Sequence, residues 1–305
     1  VDIWSWRTIF WVSAILTSLD VLVAVKVLTS PLETMAQRFD TLSMALCAAG
    51  FGGLILGLGN IGTYRPVYVV MLLFIGCVSL TAFALRQLRL KEPFLDLRIL
   101  KNREFRLSVI ISMLLYMVVM AGSVLIPIYI QSIRGYSAAF SGLVTMPGSL
   151  VMALISPLAG RIYDKIGIRK LLYMGSGLLL LSCVSMCMVS DRTSIVFISA
   201  IFALRLLAVG LMMMPLTTWG LSTISAESTA SGTALYTSLR TIAGSIGSAG
   251  FAILMTYAAS SAYNPNPGSQ LFGINVSFVG ILIIAVMLFA TAVIGVRKGT
   301  QAVIN

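Results

Sequence analysis

The chain of 305 residues contains no histidine. That absence removes the Ser-His-Asp type of triad and the paired-histidine zinc helix, because both need an imidazole. Carboxylates are scarce as well: ten Asp and Glu stand against 21 Lys and Arg. Only four cysteines occur, Cys47, Cys77, Cys183 and Cys187, and all lie in apolar runs. Cys183 and Cys187 are one helical turn apart, but with no histidine and no acid beside them they read as packing residues, not metal ligands. No Gly-x4-Gly-Lys-Ser/Thr phosphate loop is present, so an ATP-driven pump has no support. The residues point to no enzyme, no metal and no cofactor. Charged residues of both signs make up 10% of the chain, where a soluble domain carries roughly 25%.

What fills the chain instead is hydrocarbon. Hydrophobic residues are 58% of it, and the mean hydropathy is +0.99. A helix needs about 20 apolar residues to cross a bilayer. Charge-free runs of that size recur at Thr41–Tyr64, Pro66–Leu85, Leu107–Ile128, Gly135–Gly160 and Leu171–Ser190. Thr241–Val296 is long enough for two spans and is divided by the Asn/Pro/Gly/Ser-rich stretch Ser260–Gly268. Leu206–Ala226 extends back through Arg205, and Thr8–Val25 is broken only by Asp20. Nine spans are expected, near 8–26, 41–60, 66–86, 106–130, 138–160, 171–190, 194–219, 234–257 and 272–296. A membrane β-barrel would show ten-residue segments of alternating polarity. These runs are continuous, so the fold class is all-α and polytopic.

The net charge of +11 invites a nucleic-acid reading. Its distribution argues against one. With loops alternating sides, one side collects 15 Lys/Arg, seven of them in the Arg86–Arg106 stretch and four in Arg161–Lys170. The other side collects four: Arg7, Arg65, Arg134 and Arg192. That is the positive-inside bias of a membrane protein, with a lipid bilayer as partner and no nucleic acid. It sets the C-terminus in the cytoplasm of a multi-pass cell-membrane protein. Nine crossings then set Val1 outside, where Trp4, Trp6 and Trp11 form an aromatic belt. An end held outside, beginning with Val and without a signal segment, implies preceding helices, so the sequence reads as a fragment. Three parts are expected: 1–26, the last helix of an N-terminal bundle; 27–91, a two-helix insertion; and 92–305, a six-helix bundle. The basic linker Gln87–Arg106 reads as an interfacial amphipathic stretch.

One decapeptide, Arg161-Ile-Tyr-Asp-Lys-Ile-Gly-Ile-Arg-Lys170, carries five charges between runs of 26 and 20 uncharged residues. It reads as a tight membrane-surface turn between two spans. Its Gly160-Arg-x-x-Asp164-Lys165-x-Gly167-x-Arg169-Lys170 pattern resembles the loop signature of the major facilitator superfamily. Other pieces follow in order: Trp6-Arg7-x-Ile9-Phe10, Glu92-Pro93-x-Leu95-Asp96-Leu97, Pro127-x-Tyr129-x-Gln131, Met214-Pro215-Leu216-Thr217-Thr218 and Arg240-x-x-Ala243-Gly244-Ser245-Ile246-Gly247. Together they resemble the fourteen-helix drug:proton antiporter branch of that superfamily, from its sixth helix onward. The resemblance implies efflux of drugs or other amphipathic small molecules by alternating access, driven by protons. It also implies five missing N-terminal helices of the same protein as partners.

Candidate residues follow from charge inside or beside the spans. Arg161, Asp164, Lys165, Gly167 and Arg169 form a latch by resemblance, or simply a charged turn. Asp164 can pair with the arginines or with a helix N-terminus. Arg205 lies near mid-bilayer, where an arginine costs about 2.5–3.5 kcal/mol on insertion scales. It either faces a polar cavity or anchors two helices through backbone carbonyls. Arg240 sits near the cytoplasmic start of its span and could snorkel. Asp20 is the one acid well inside a span. These three are the proton-coupling or substrate-charge candidates. Tyr116, Met120, Gln131, Met213 and Tyr236 are cavity candidates, the methionines for their adaptability. Gly244, Gly247 and Gly250 give their helix a small-residue face for close packing. Two alternatives stand beside efflux: a proton-coupled uptake symporter of the same fold, and a membrane sensor that moves no substrate.

The charge asymmetry makes a direct prediction. In a cysteine-free background, Ser5→Cys is labelled in intact cells by a membrane-impermeant thiol reagent and Gly299→Cys is not. The reverse pattern overturns the orientation.

Overall fold

The computed structural model describes residues 7–27, 40–61, 64–90, 95–261 and 267–296. Trp4, Trp6, Glu92, Pro93, Arg297 and Lys298, on which part of the topology reasoning rests, lie outside the described residues. Eight long helices make up nearly all of the rest: α1 (Arg7–Val27), α2 (Thr41–Gly59), α3 (Pro66–Arg89), α4 (Arg103–Ile128), α5 (Ala138–Cys187), α6 (Ile195–Ser222), α7 (Thr229–Ser261) and α8 (Pro267–Gly295). No strand occurs among the described residues. Each helix is long and apolar enough to cross a membrane. The chain is an all-helical, multi-pass membrane protein.

α5 is a special case. Its 50 residues would reach about 75 Å as one straight rod, over twice the hydrocarbon thickness. It breaks at Gly167, whose φ of 77° and ψ of 163° lie in a region open essentially to glycine alone. Contacts with α6 give the direction of each limb. From the first limb (138–166), Val144 accepts from Ser199 Oγ at 2.8 Å. Farther along it, Gly148 faces Phe202 and Ile155 faces Gly210. The numbers rise together, so this limb runs parallel to α6. From the second limb (168–187), Ser182 Oγ donates to Ile201 O at 3.1 Å, while Gly175 faces Met212. Here the numbers run in opposition. The chain therefore reverses at Gly167, so the eight helices among the described residues comprise nine straight segments.

Sequence reasoning expects a loop at 161–170, but the chain is helical on both sides of Gly167. Arg161, Asp164, Lys165 and Lys170 are exposed, whereas Tyr163 and Ile168 are buried. An amphipathic helix end can keep its backbone bonds while its charges stand in water. Only one residue has to leave helical space. This end of the bundle, which also holds residues 86–90 and 95–106, is its basic end. There Asn102 caps α4, accepting from the Glu104 and Phe105 N–H groups at 2.9 and 3.2 Å. Its side-chain amide donates to Thr223 O at 2.8 Å and so ties α4 to the end of α6.

At the opposite end, Pro127 removes one ladder bond from α4, and a π-helical turn, Tyr129–Ile133, follows. Tyr129 Oη donates to Ser190 O at 2.6 Å, and Arg134 donates to Thr193 O at 2.6 Å. These bonds fix α4 to the connection between α5 and α6.

A large core unites α4, α5, α6 and α8. A smaller one near the basic end joins α3, the linker, α4 and α7 through Phe83, Leu95, Ile99, Phe105 and Tyr236. α2 and α3 form an antiparallel hairpin, crossing where Gly53 meets Gly76, and α2 packs on α7. The linker carries a 3-10 turn, Leu97–Lys101, with Leu95 and Ile99 buried. α1 is exposed along nearly its whole length.

A polar clasp holds hairpin and linker together. Buried Gln87 donates to Ser43 Oγ at 2.7 Å and accepts from Leu95 N at 3.0 Å. Ser43 Oγ donates to Asp40 Oδ2 at 2.6 Å, and Arg86 pairs with Asp40 at 3.2 Å. The Ser43 hydroxyl, the Arg86 guanidinium and the Ser43 N–H hold the Asp40 carboxyl down at about 2, from an ordinary 3.8.

Two outcomes follow. Gly167→Ala lowers stability by about 1–3 kcal/mol through backbone strain, while Gly160→Ala, which meets nothing within 4 Å, does not destabilise. Thermal unfolding in detergent compares them. Because the Asp40 pKa is depressed on folding, its contribution is complete above about 3.8 and is lost as pH falls through about 2. The melting difference between wild type and Asp40→Asn is therefore constant from neutral pH to about 4 and shrinks below it.

Candidate functional site

The site is built from three helices that meet toward the basic end. The first limb of α5 contributes Met152, Ala153, Ser156 and Pro157. α6 contributes Met213, Met214 and Thr217, and α7 contributes Arg240. Together they line an open cleft of about 440 Å³, within the size range of small-molecule sites. The wall is soft and apolar: three methionine thioethers, an alanine and a proline ring. The two hydroxyls are turned to their own helices. Ser156 Oγ donates to Met152 O at 2.7 Å, and Thr217 Oγ1 donates to Met213 O at 3.0 Å. The wall thus presents one charge, Arg240.

Local packing explains how Arg240 is held. Gly244, one turn on from Arg240, leaves room for the Tyr116 ring and for Met120. A Cβ there would come within 2.6 Å of the ring and 2.9 Å of Met120 Cγ. Gly247 does the same for the α4 backbone at Met117. α4 and α7 therefore close together along the glycine face, and Tyr116 slides beneath the guanidinium. The Arg240 guanidinium carbon sits 5.0 Å from the ring centroid, a cation–π contact worth roughly 0.5–2 kcal/mol. Arg240 Nε is buried without a hydrogen-bond partner. Tyr236, one turn earlier, is 1% exposed. Its hydroxyl lies near Ser112 and Thr217 but meets hydrogen-bond geometry with neither.

Arg205 has a different environment. It is 2% exposed and donates through Nη2 to Val118 O of α4. A Cβ at Gly122 would collide with the guanidinium, so that glycine is the seat of the side chain. Cys183 of the second α5 limb lies close by. The cation thus bridges α6 to the α4 backbone. It does not line the cavity.

The remaining candidates are dispersed. Arg161, Asp164 and Lys165 are exposed at the basic end. Asp164 makes no ion pair among the described residues, whose one salt bridge is Arg86–Asp40. Arg169 Nε donates to Tyr173 Oη at 2.9 Å, and Tyr173 Oη donates to Val293 O at 3.3 Å, joining the second limb to α8. Asp20 is exposed on α1, and Gln131 is exposed in the π-helical turn at the opposite end. Of the five cavity candidates, Met213 lines the cavity, while Tyr116, Met120 and Tyr236 stand behind it. Met152 and Ala153 were not singled out from sequence. The signal that could have marked them is proline: Pro157 deprives the Ala153 carbonyl of its helical donor. No group of three His, Cys, Asp or Glu able to hold a metal occurs among the described residues.

Three related proteins are similar along most of this chain. The MFS-type transporter YcnB of Bacillus subtilis is 30% identical over 292 residues, 95% of this chain and 62% of that protein. The lincomycin resistance protein LmrB of Bacillus subtilis is 30% identical over 296 residues, 93% of this chain and 62% of its own length. The multidrug resistance protein Stp of Mycobacterium tuberculosis (strain H37Rv) is 25% identical over 263 residues, 85% and 48% respectively. The chain thus spans between about half and two thirds of the relatives it matches. Residues 1–248 match the Major Facilitator Superfamily as a family. With this match over most of its length, the chain belongs to the Major Facilitator Superfamily.

Proposed function

We propose that the full-length protein exports amphipathic small molecules by alternating access, driven by inward proton flow. The observation that carries this reading is the cavity at the junction of the first α5 limb, α6 and α7. A site shared by three helices changes shape when they tilt against one another. Its methionine wall accepts varied apolar shapes. Relatives named for lincomycin resistance and multidrug resistance support export. In this reading the protein resides in the cell membrane with its basic end in the cytoplasm. Helices of the same protein outside this chain close the cavity from the other side. Asp164, exposed and unpaired here, is available to a partner on those helices as the bundles rock.

Purified full-length protein in liposomes with an imposed pH gradient tests this. Substrate moves against its gradient when protons run down theirs, in the opposite direction. Movement of both in one direction establishes uptake, and no movement establishes neither form of transport. Asp164→Asn lowers the flux several-fold at matched expression and normal insertion, because only the charge of an exposed group is removed. Unchanged flux reduces the 161–170 segment to a turn.

A further inference from the structure

We propose that the cavity selects amphipathic organic anions, with Arg240 as the counter-charge for a carboxylate-type group on the substrate. The inference deepens the transport reading and rests on it in taking the cavity as the substrate site.

The distribution of charge along the bundle sets Arg240 apart. From Phe105 to Val296 the acids are Asp164, Asp191 and Glu227. All three are exposed, at helix ends or in connections. The spanning interior holds two arginines and no carboxylate. These two cations are treated differently. Arg205 is fully enclosed, bonded to the Val118 carbonyl and seated against Gly122. Arg240 faces the cavity with an aromatic ring on one side and no acid on the other. Its buried Nε has no acceptor. A lone guanidinium in an apolar wall lacks what a carboxylate supplies. A cationic amphipath would bring like charge to Arg240 in a low-dielectric site, where repulsion is strong. A neutral one would leave the Arg240 charge without a counter-ion.

The alternative destination for Arg240 is a carboxylate on helices of the full-length protein beyond this chain. The two differ in what they predict. A substrate counter-charge discriminates among ligands by their charge. An internal ion pair does not.

The test uses the full-length protein in detergent at pH 8, with three fluorescent probes that share one apolar body. They are dansyl-leucine, its methyl ester and dansylcadaverine, which are anionic, neutral and cationic at that pH. Dissociation constants come from fluorescence titration. Wild type binds the acid about tenfold or more tightly than the ester, and the cation more weakly than either. Arg240→Gln weakens the acid to the level of the ester and leaves the ester within about twofold. Arg240→Lys, which keeps charge but loses the planar fork, retains part of the preference. A wild type without preference for the acid overturns the proposal. So does an Arg240→Gln protein that loses acid and ester equally, which marks Arg240 as an internal partner or packing group. Should Arg240→Gln not fold, the wild-type preference and its retention in Arg240→Lys decide. The transport reading fails separately: acid preference intact with no proton-driven flux of any probe in liposomes leaves a binding protein, not a transporter.

Discussion

Hydrocarbon offers no hydrogen-bond partner, and the rest of this structure follows from that constraint. Backbone groups are satisfied by helix alone among the spans. Side-chain hydroxyls follow the same rule at shorter range. Thr81 donates to Cys77 O, Ser156 to Met152 O, Thr217 to Met213 O and Thr291 to Met287 O, each one turn back on its own helix. A hydroxyl bound in this way adds almost no polarity to the surface it sits on. The apparent Ser/Thr content of the spans therefore overstates how polar the bundle is. What remains polar inside is a short set of groups, and the arginines dominate it.

The same constraint makes proline informative. Each proline within a helix frees a carbonyl four residues earlier and loosens the ladder at that point. Pro157 does so at Ala153 and Pro215 at Leu211, on the two helices whose facing surfaces form most of the cavity wall. The wall is thus built where the ladders of the first α5 limb and α6 are each interrupted by a proline, while Pro147 interrupts the first limb nearer its start. At the opposite end the arrangement is stiffer. The Tyr129 and Arg134 side chains bind carbonyls of the α5–α6 connection directly, and Pro127 is absorbed into a π-helical turn.

Much of the fold was legible because the bilayer imposes a simple code. Apolar runs of about 20 residues, two of them carrying a single charge (Asp20 and Arg205), marked the crossings, and the charged decapeptide around Gly167 marked a reversal. The extent of the helices was not legible. α7 begins at Thr229 and the α5 limbs run through the charged decapeptide, because helix does not stop where hydrocarbon stops. Charge marks the membrane boundary, not the helix boundary. Site residues were legible as a list of anomalies, but their roles were not. An arginine within an apolar span is conspicuous. Whether it meets a carbonyl or a cavity depends on the neighbouring helix, and α4 presents Gly122 to Arg205 across 83 positions of sequence. Nothing local to residue 205 encodes that seat. Position along the helix left two roles open for the deeper arginine, a cavity charge or a strut to backbone carbonyls, and the second is the one realised, because depth in the bilayer and access to the cavity are separate coordinates.

The two arginines show why a buried cation has two stable outcomes. A guanidinium carries five donors in a fixed plane. Placed against a helix lacking a side chain at the contact, it can reach the backbone and offset its burial there, which is the arrangement of Arg205 with Val118 and Gly122. It then serves as a strut, and its cost is recovered within the fold. Arg240 meets the same helix one face over, but there the space opened by Gly244 is taken by the Tyr116 ring. A ring attracts the cation without accepting its in-plane donors, so Nε is left over. The residue is held in place and incompletely satisfied at once. A group in that condition contributes less to folding than it could, and more to whatever enters the cavity bearing an acceptor. Replacing Tyr116 by a carboxylate would complete Arg240 within the fold and, on the same logic, remove its reason to discriminate between ligands.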